Sequence, residues 1–262
     1  MVVCVLGWAG SGARAAGPPA DVRAYVVFAI QNASIGSKAR VQGDVGCLFG
    51  ELSLGQSTRI SGAAAAPSIR LRRRARASGG IFCSSVDSGR ATCETLPNPL
   101  VAQPMLVFVG PSSSNNVRVD RRAKATAPLA AGAYGTLTLG AAAEVTLSGG
   151  TYQFESIVAG ARARVVCLAA CDVTVRAQVK LGQAARFGAV DSIAASAAIV
   201  RIAGTGARTA FDAKSRVQIR GTIYAPNAEV KLGAGAKQTG ALVGSTVSIG
   251  PRARIQGTSG GA

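Results

Sequence analysis

A short cue returns down almost the whole chain: Leu or Ile, then Gly, two free positions, a small Ala, Ser or Thr, and an apolar residue two places on. It begins at Ile35, Leu54, Leu139, Leu181, Leu232 and Ile249, with degenerate copies at Leu71, Ala159 and Phe211. Successive starts lie 19 and 17 residues apart in a first run, then 20, 22, 30, 21 and 17 apart in a second. A period near twenty, with short β-like segments and Gly at the bends, is the pattern of a coil stacked on itself. Left-handed hexapeptide coils need strict multiples of six, which these spacings do not obey. The expected fold is therefore all-β: one right-handed parallel β-helix with about 17–22 residues per coil. Its inward positions should include Ile35, Val41, Leu54, Ile60, Leu139, Val145, Leu181, Phe187, Leu232 and Ile249.

Period-2 alternation supports strands, as in Thr136-Leu137-Thr138-Leu139 and Glu229-Val230-Lys231-Leu232. Apolar residues make up 48 % of the chain with only 5 % aromatic, and small and β-branched side chains suit a narrow layered core. Residues 1–24 read as a leader: a short apolar run, then Ala13-Arg14-Ala15 in the Ala-x-Ala form of an export cleavage site. That run is too short to span a bilayer, so no transmembrane segment is expected. Residues 25–257 form the β-helix domain, with first coils over 25–82 and a second array over 132–257. Between them, 83–131 is rich in Pro, Ser and Asn and is expected to run along the stack or cross between turns. Residues 258–262 are a flexible tail.

The formal charge is +17 with no His. Such an excess favours phosphates, sulfates, carboxylates and anionic surfaces without choosing among them. The densest stretch is Arg70–Arg76. Aligned to the repeat, Ile69, Leu71, Ala75 and Gly79 take the apolar or small positions and the arginines fall outward. Arg72, Arg73, Arg74 and Arg76, with Arg118, Arg121 and Arg122 crossing nearby, are the candidate contact for anionic polysaccharide or an envelope surface. Few aromatics stand near them, so sequence-specific nucleic-acid recognition is not expected. Tyr134 and Tyr152, 18 residues apart, are expected to stack in adjacent turns and seal a corner.

Cys83 and Cys93 bracket a polar loop that suits a local disulfide. Cys167 and Cys171 can pair only if the chain turns between them, and Cys47 has no obvious mate. Zinc is not indicated, because His is absent and neither pair has Cys-x-x-Cys spacing. No metal or cofactor is called for.

The opening AYVVFAIQNASIGSKARVQGDVG resembles the first segment of the exported ice-binding-type β-helix family. APLAAGAYGTLTLG…LSGGTYQF resembles that family's middle, and GTIYAPNAEVKLGAGAKQTGALVGSTVSIG its closing turns. The chain is also similar to uncharacterised bacterial surface proteins with this β-helix and, more distantly, to the polymer-forming bactofilins. The resemblance implies an ice site of flat Thr and Ser rows. Thr136 and Thr138 form one such pair, but the equivalent positions in neighbouring coils are expected to hold Glu144, Arg164, Lys231 and Arg252, whose hydration would disrupt ordered water. The family's long helix has no counterpart in residues 84–111, which are full of Pro and Gly.

Catalysis is not expected. Glycoside hydrolysis needs two carboxylates in one cleft, whereas the 12 acidic residues are scattered among the repeats; Glu144 with Glu155 or Asp172 is the nearest to a pair. Without His there is no His-based triad. Gly204-Thr205-Gly206 and Gly233-Ala234-Gly235 lack the context of a phosphate loop and read as coil bends. The sequence thus points to a non-catalytic exported or surface-displayed scaffold acting in adhesion or envelope assembly. End-to-end self-association through exposed strands is a further expectation. Ice binding and polysaccharide cleavage are the alternatives.

Overall fold

Alternation along the sequence becomes alternation between inside and outside. Thr136–Leu139 and Glu144–Leu147 each bury every second residue, and Cys171–Leu181 repeats the pattern over most of its length. A computed structural model describes residues 24–87, 93–94, 115–204 and 209–257. The strands stack in parallel as a β-solenoid of about ten turns. All ten inward residues named above are buried.

Each coil has three sides. The first carries strands such as Thr136–Leu139 and Glu51–Leu54, and the second carries Glu144–Leu147 and Arg40–Gln42. The third is built by segments such as Val45–Cys47 and the opening half of Gly150–Ala159, which bends into the first side at an irregularity after Phe154. The second side is a nine-stranded sheet, while the first and third belong to a sixteen-stranded one.

The recurring Gly-x-x-Ala cue makes the corner between the first and second sides. Its third position is left-handed in every copy: Lys38, Ser57, Arg74, Arg122, Ala142, Arg162, Ala184, Arg216 and Arg252 have φ of 57–63°, and Gly235 has 67°. That conformation costs a non-glycine residue roughly 1–2 kcal/mol. It aims the backbone N–H at the next coil, so Ala142 donates to Ala161 O at 2.7 Å, and Lys38 to Gln56 O at 2.8 Å. The corner thereby carries a hydrogen-bond ladder of its own beside the sheet ladders.

The coils are not stacked in chain order. Val27–Ile35 pairs with Leu242–Ile249, and Arg40–Gln42 with Arg254–Gln256, so the first coil rests on the last. At the corner, Arg252 N donates to Ser37 O at 2.9 Å across this waist. Backbones approach so closely here that a Cβ on Gly36 would lie 2.6 Å from Pro251 N and 2.7 Å from Gly250 C. Ser85–Asp87 forms one end of the stack and Val117–Val119 the other. Eleven strands separated by about 4.8 Å place those ends roughly 50 Å apart.

The Cys83–Cys93 disulfide and the Phe82–Glu94 bridge hold residues 93–94 at the first end. Glu94 and Asn115 therefore lie at opposite ends of the stack. Strands at Ser85–Asp87 and Val117–Val119, and bridges at Lys124 and Leu129, show that the stack reaches into 83–131 from both sides.

Two expected alignments shift by two residues. Leu181 pairs with Ala213 rather than Phe211, and Ala213 with Leu232, so one coil is long and its neighbour regular. The long coil accommodates a 3-10 turn at Ala195–Ala197. Tyr134 stacks on Phe154, with ring centroids 5.5 Å apart, instead of on Tyr152, because Gly132 is the residue in register with Tyr152. Tyr152 stacks on Phe154 in turn and donates its hydroxyl to Leu129 O at 2.8 Å.

A second apolar cluster lies outside the prism, on the third side across the waist: Tyr25, Phe28, Ala63, Ala65, Phe82 and Val243. The Tyr25 ring lies over Gly46, where a Cβ would fall 2.7 Å from it. The Tyr25 hydroxyl is buried without a hydrogen-bond partner, and burial first, then the Asp44 charge, pushes its pKa up. A phenol whose folded pKa is raised leaves stability unchanged below its unfolded value near 10 and drains it above.

Gly36→Ala is expected to lower unfolding stability by about 2–3 kcal/mol through forced separation of the waist. Ala142→Gly, at an exposed left-handed corner, is expected to gain up to about 1 kcal/mol; chemical denaturation of both variants checks the pair. Stability should hold through neutral pH and fall above about pH 10, and the part of the 295 nm tyrosinate absorbance that Tyr25→Phe removes should appear together with unfolding. Tyr25→Phe is expected to be neutral or stabilising at pH 7 and to blunt the alkaline loss.

Candidate functional site

The arginines singled out from sequence do not form one patch. Arg72, Arg73, Arg74 and Arg76 are exposed at one end of the stack. Arg118, Arg121 and Arg122 belong to the coil at the opposite end, nine strand steps or about 43 Å away. The expectation that they cross nearby fails because the coils before residue 95 end, and those after residue 114 begin, at opposite ends of the strand order. Arg118 also pairs with Asp120 at 3.1 Å.

What the stacking does assemble is a row on the second side. The residue after each corner points outward, and it is in register from coil to coil: Glu144, Arg164, Arg186, Gln218, Lys237, Arg254, Arg40, Arg59, Arg76. Lys124 bridges to Glu144 at the head of the row. Glu144 lies between two cations, 3.0 Å from Lys124 and 3.6 Å from Arg164. A signal for this row was present in the sequence. A cation follows the small corner residue in Ala39-Arg40, Thr58-Arg59, Ala75-Arg76, Ala123-Lys124, Ala163-Arg164, Ala185-Arg186, Ala236-Lys237 and Ala253-Arg254.

At the head of the same side, residues near the 3-10 turn wall a groove of about 420 Å³ lined by Glu144, Arg164, Arg186, Phe187, Asp191 and Arg220 among others. Arg220 reaches Asp191 at 3.4 Å and donates to Ile193 O at 3.1 Å, which ties that wall to the sheet.

The first side is mixed. The row containing Thr138 continues through Val158, Lys180, Asp212, Lys231, Ser248, Ser34, Ser53 and Arg70. Of the four residues expected beside the Thr136 and Thr138 pair, Lys231 shares this side. Glu144 and Arg164 are on the second side, and Arg252 is at the corner. Thr136 itself is in register with Ser156.

Most of the described carboxylates are dispersed and set against cations. Glu155 pairs with Arg176, Asp172 with Arg201, and Asp212 with Lys214, while Glu51 and Asp87 share Arg70 between them. Glu144 therefore does not join Glu155 or Asp172 in a cleft. Among the described residues no group of three or more Cys, Asp or Glu is placed to hold a metal ion, and no helix is long and apolar enough to cross a membrane.

Cys83 and Cys93 are bonded, with Cα atoms 5.4 Å apart. Cys167 and Cys171 remain separate buried thiols, so that expected bond is not made. The turn at Leu168–Ala170 brings them into hydrogen-bond contact, which holds the Cys167 pKa up and lowers that of Cys171. Cys47 is buried, donates to Gln31 O at 3.0 Å, and has its pKa raised by desolvation. The leader, Thr205 and Gly206, and the tail after Gly257 lie outside the described residues.

These features define a class: a three-sided parallel β-solenoid whose polar chemistry is laid out in rows along its sides. The chain belongs to the family described as Domain of unknown function (DUF7305), whose model matches residues 113–257. The matched stretch corresponds to the coils from Val117–Val119 to Arg254–Gln256, which stack in unbroken chain order. No curated protein and no solved structure matches the chain.

Since a separation of about 43 Å is about five times the physiological Debye length of about 8 Å, the two end groups should act independently. Arg72→Ser/Arg73→Ser/Arg74→Ser and Arg121→Ser/Arg122→Ser are expected to lower the salt needed to elute the protein from a sulfated matrix by amounts that add in the combined variant.

Proposed function

We propose that the protein is a non-catalytic scaffold, exported or displayed at the cell surface, that acts in adhesion or in assembly of an envelope layer. The observation that carries this reading is the layout of its ionisable groups. Most of the described carboxylates are held by cations, and the two that line the groove, Glu144 and Asp191, are both paired, Glu144 with Lys124 and Arg164 and Asp191 with Arg220, so neither stands free as the acid or base that glycoside hydrolysis needs. The second side repeats a cation from coil to coil over most of its length, the form of surface that grips an extended partner. The Cys83–Cys93 disulfide supports export, because such bonds persist in oxidising compartments. The resemblance of the opening and closing turns to exported β-helix families points the same way. Ice binding draws less support: Lys180, Asp212 and Lys231 break the outward row of the first side.

The test is fractionation of the cells that make the protein, with thiol labelling, followed by electron microscopy of purified material at rising concentration. The expected result is protein in the envelope or the medium with Cys83 and Cys93 oxidised, forming lattices, filaments or surface-bound particles. Recovery from the cytosol with both thiols reduced, or shortening of polysaccharide chains by the purified protein, defeats the reading.

A further inference from the structure

The row on the second side changes character at the waist. Towards its head, Glu144 separates Lys124 from Arg164. Across the waist, Lys237, Arg254, Arg40, Arg59 and Arg76 follow one another on five adjacent strands with no acid between them. All five are exposed. Among the described residues none of them takes part in an ion pair. Left-handed corner residues Arg252, Lys38 and Arg74 run beside them as a second, interrupted line of charge.

Like charges directly opposite each other on adjacent strands are destabilising, and here the repulsion recurs at four consecutive pairings. The fold keeps this cost where a single acid in the middle of the row, as Glu144 stands between Lys124 and Arg164, would turn two of the four pairings attractive. A local rule broken without compensation inside the molecule points to compensation from outside.

We propose that this ladder binds a linear acidic polysaccharide, a polyuronate, laid along the stack axis with successive carboxylates against successive cations. The rungs repeat about every 4.8 Å, comparable to the length of one sugar ring in an extended chain that bears one carboxylate per ring. On the other flank of the ladder runs a neutral polar row, Thr239, Gln256, Gln42, Ser61 and Ser78, suited to sugar hydroxyls. Neither row contains an aromatic residue on which a base could stack, which disfavours single-stranded nucleic acid. The inference deepens the scaffold reading by naming a ligand. A cytosolic location would defeat that reading and leave the ladder's affinity intact, whereas loss of the ladder leaves the scaffold standing.

The test uses the full chain and polygalacturonate oligomers of increasing length in calorimetry or interferometry. Affinity is expected to rise with each sugar up to about five or six, level off, and fall at least about tenfold between low and physiological salt. Arg40→Gln/Arg59→Gln is expected to weaken the six-sugar complex tenfold or more. Arg121→Gln/Arg162→Gln, with the same change in charge, should weaken it less than twofold. If the first variant unfolds, Lys237→Gln/Arg76→Gln at the ladder's ends provides the same comparison. Equal losses in ladder and control variants, an affinity indifferent to oligomer length, or tighter binding of single-stranded DNA of matched charge overturns the proposal.

Discussion

The architecture depends on backbone pairing between the first and last coils. Val27–Ile35 bonds to Leu242–Ile249 on one side and to Val45–Cys47 and Glu51–Leu54 on the other, so it is an interior rung although it begins the described chain. Closing a loop of about two hundred residues instead of about twenty adds only about 2 kcal/mol of chain entropy. Against that, Val27, Ile35 and Val41 stack on Leu242, Ile249 and Ile255, all buried, and each such side chain contributes about 1.5–3 kcal/mol. The long closure is easily offset at equilibrium, but contacts so distant in sequence make for slow folding.

Because the coils share one register, each side of the prism has its own chemistry, and the differences are sharpest at the waist. The first side presents short hydroxyl and amide groups at Thr246, Ser248, Asn32, Ser34 and Ser53. The second presents unpaired cations. The third is apolar on its outer face, where Tyr224, Val243 and Phe28 follow one another beside the Tyr25 ring. A cross-section through the waist therefore meets three surfaces with different solvents of preference, joined by corners held through backbone hydrogen bonds. The corners can vary in side chain, from Lys38 to Ala142 to Arg216, because the left-handed residue points away from the core and its N–H makes the contact.

Much of the fold was legible in the sequence, for a physical reason. The Gly-x-x-Ala cue reports a corner where backbones nearly touch, and the alternating residues after it report which side chains face inward; Ile35, Leu54, Val145 and Ile249 were all assignable from it. Phe211 was misplaced by two residues because the coil before it is lengthened around Ala195–Ala197, and the degenerate cue Ala213-Lys214-Ser215-Arg216 lacks its glycine. The order of stacking was not legible at all. A period shows that each coil sits on a neighbour, but not that Ile35 sits on Ile249, so the proximity of Arg254 to Arg40 and the remoteness of Arg76 from Arg122 both escaped. The cations after the corners were visible as a pattern, yet their meaning depends on that hidden order.

The waist is also where the described chain starts and stops. Val26 accepts a hydrogen bond from Leu242 N, and Gly257 N donates to Gln42 O, with seven strands of the longer sheet's main path on one side of this level and four on the other. Anything joined before Ala24 or after Gly257 thus leaves from the flank of the prism and not from its tips. A pull applied through Ala24 or Gly257 therefore enters the prism at its waist, like a load hung from the middle of a beam. Such a load acts on neighbouring rungs at one level and not on the strands at the two tips.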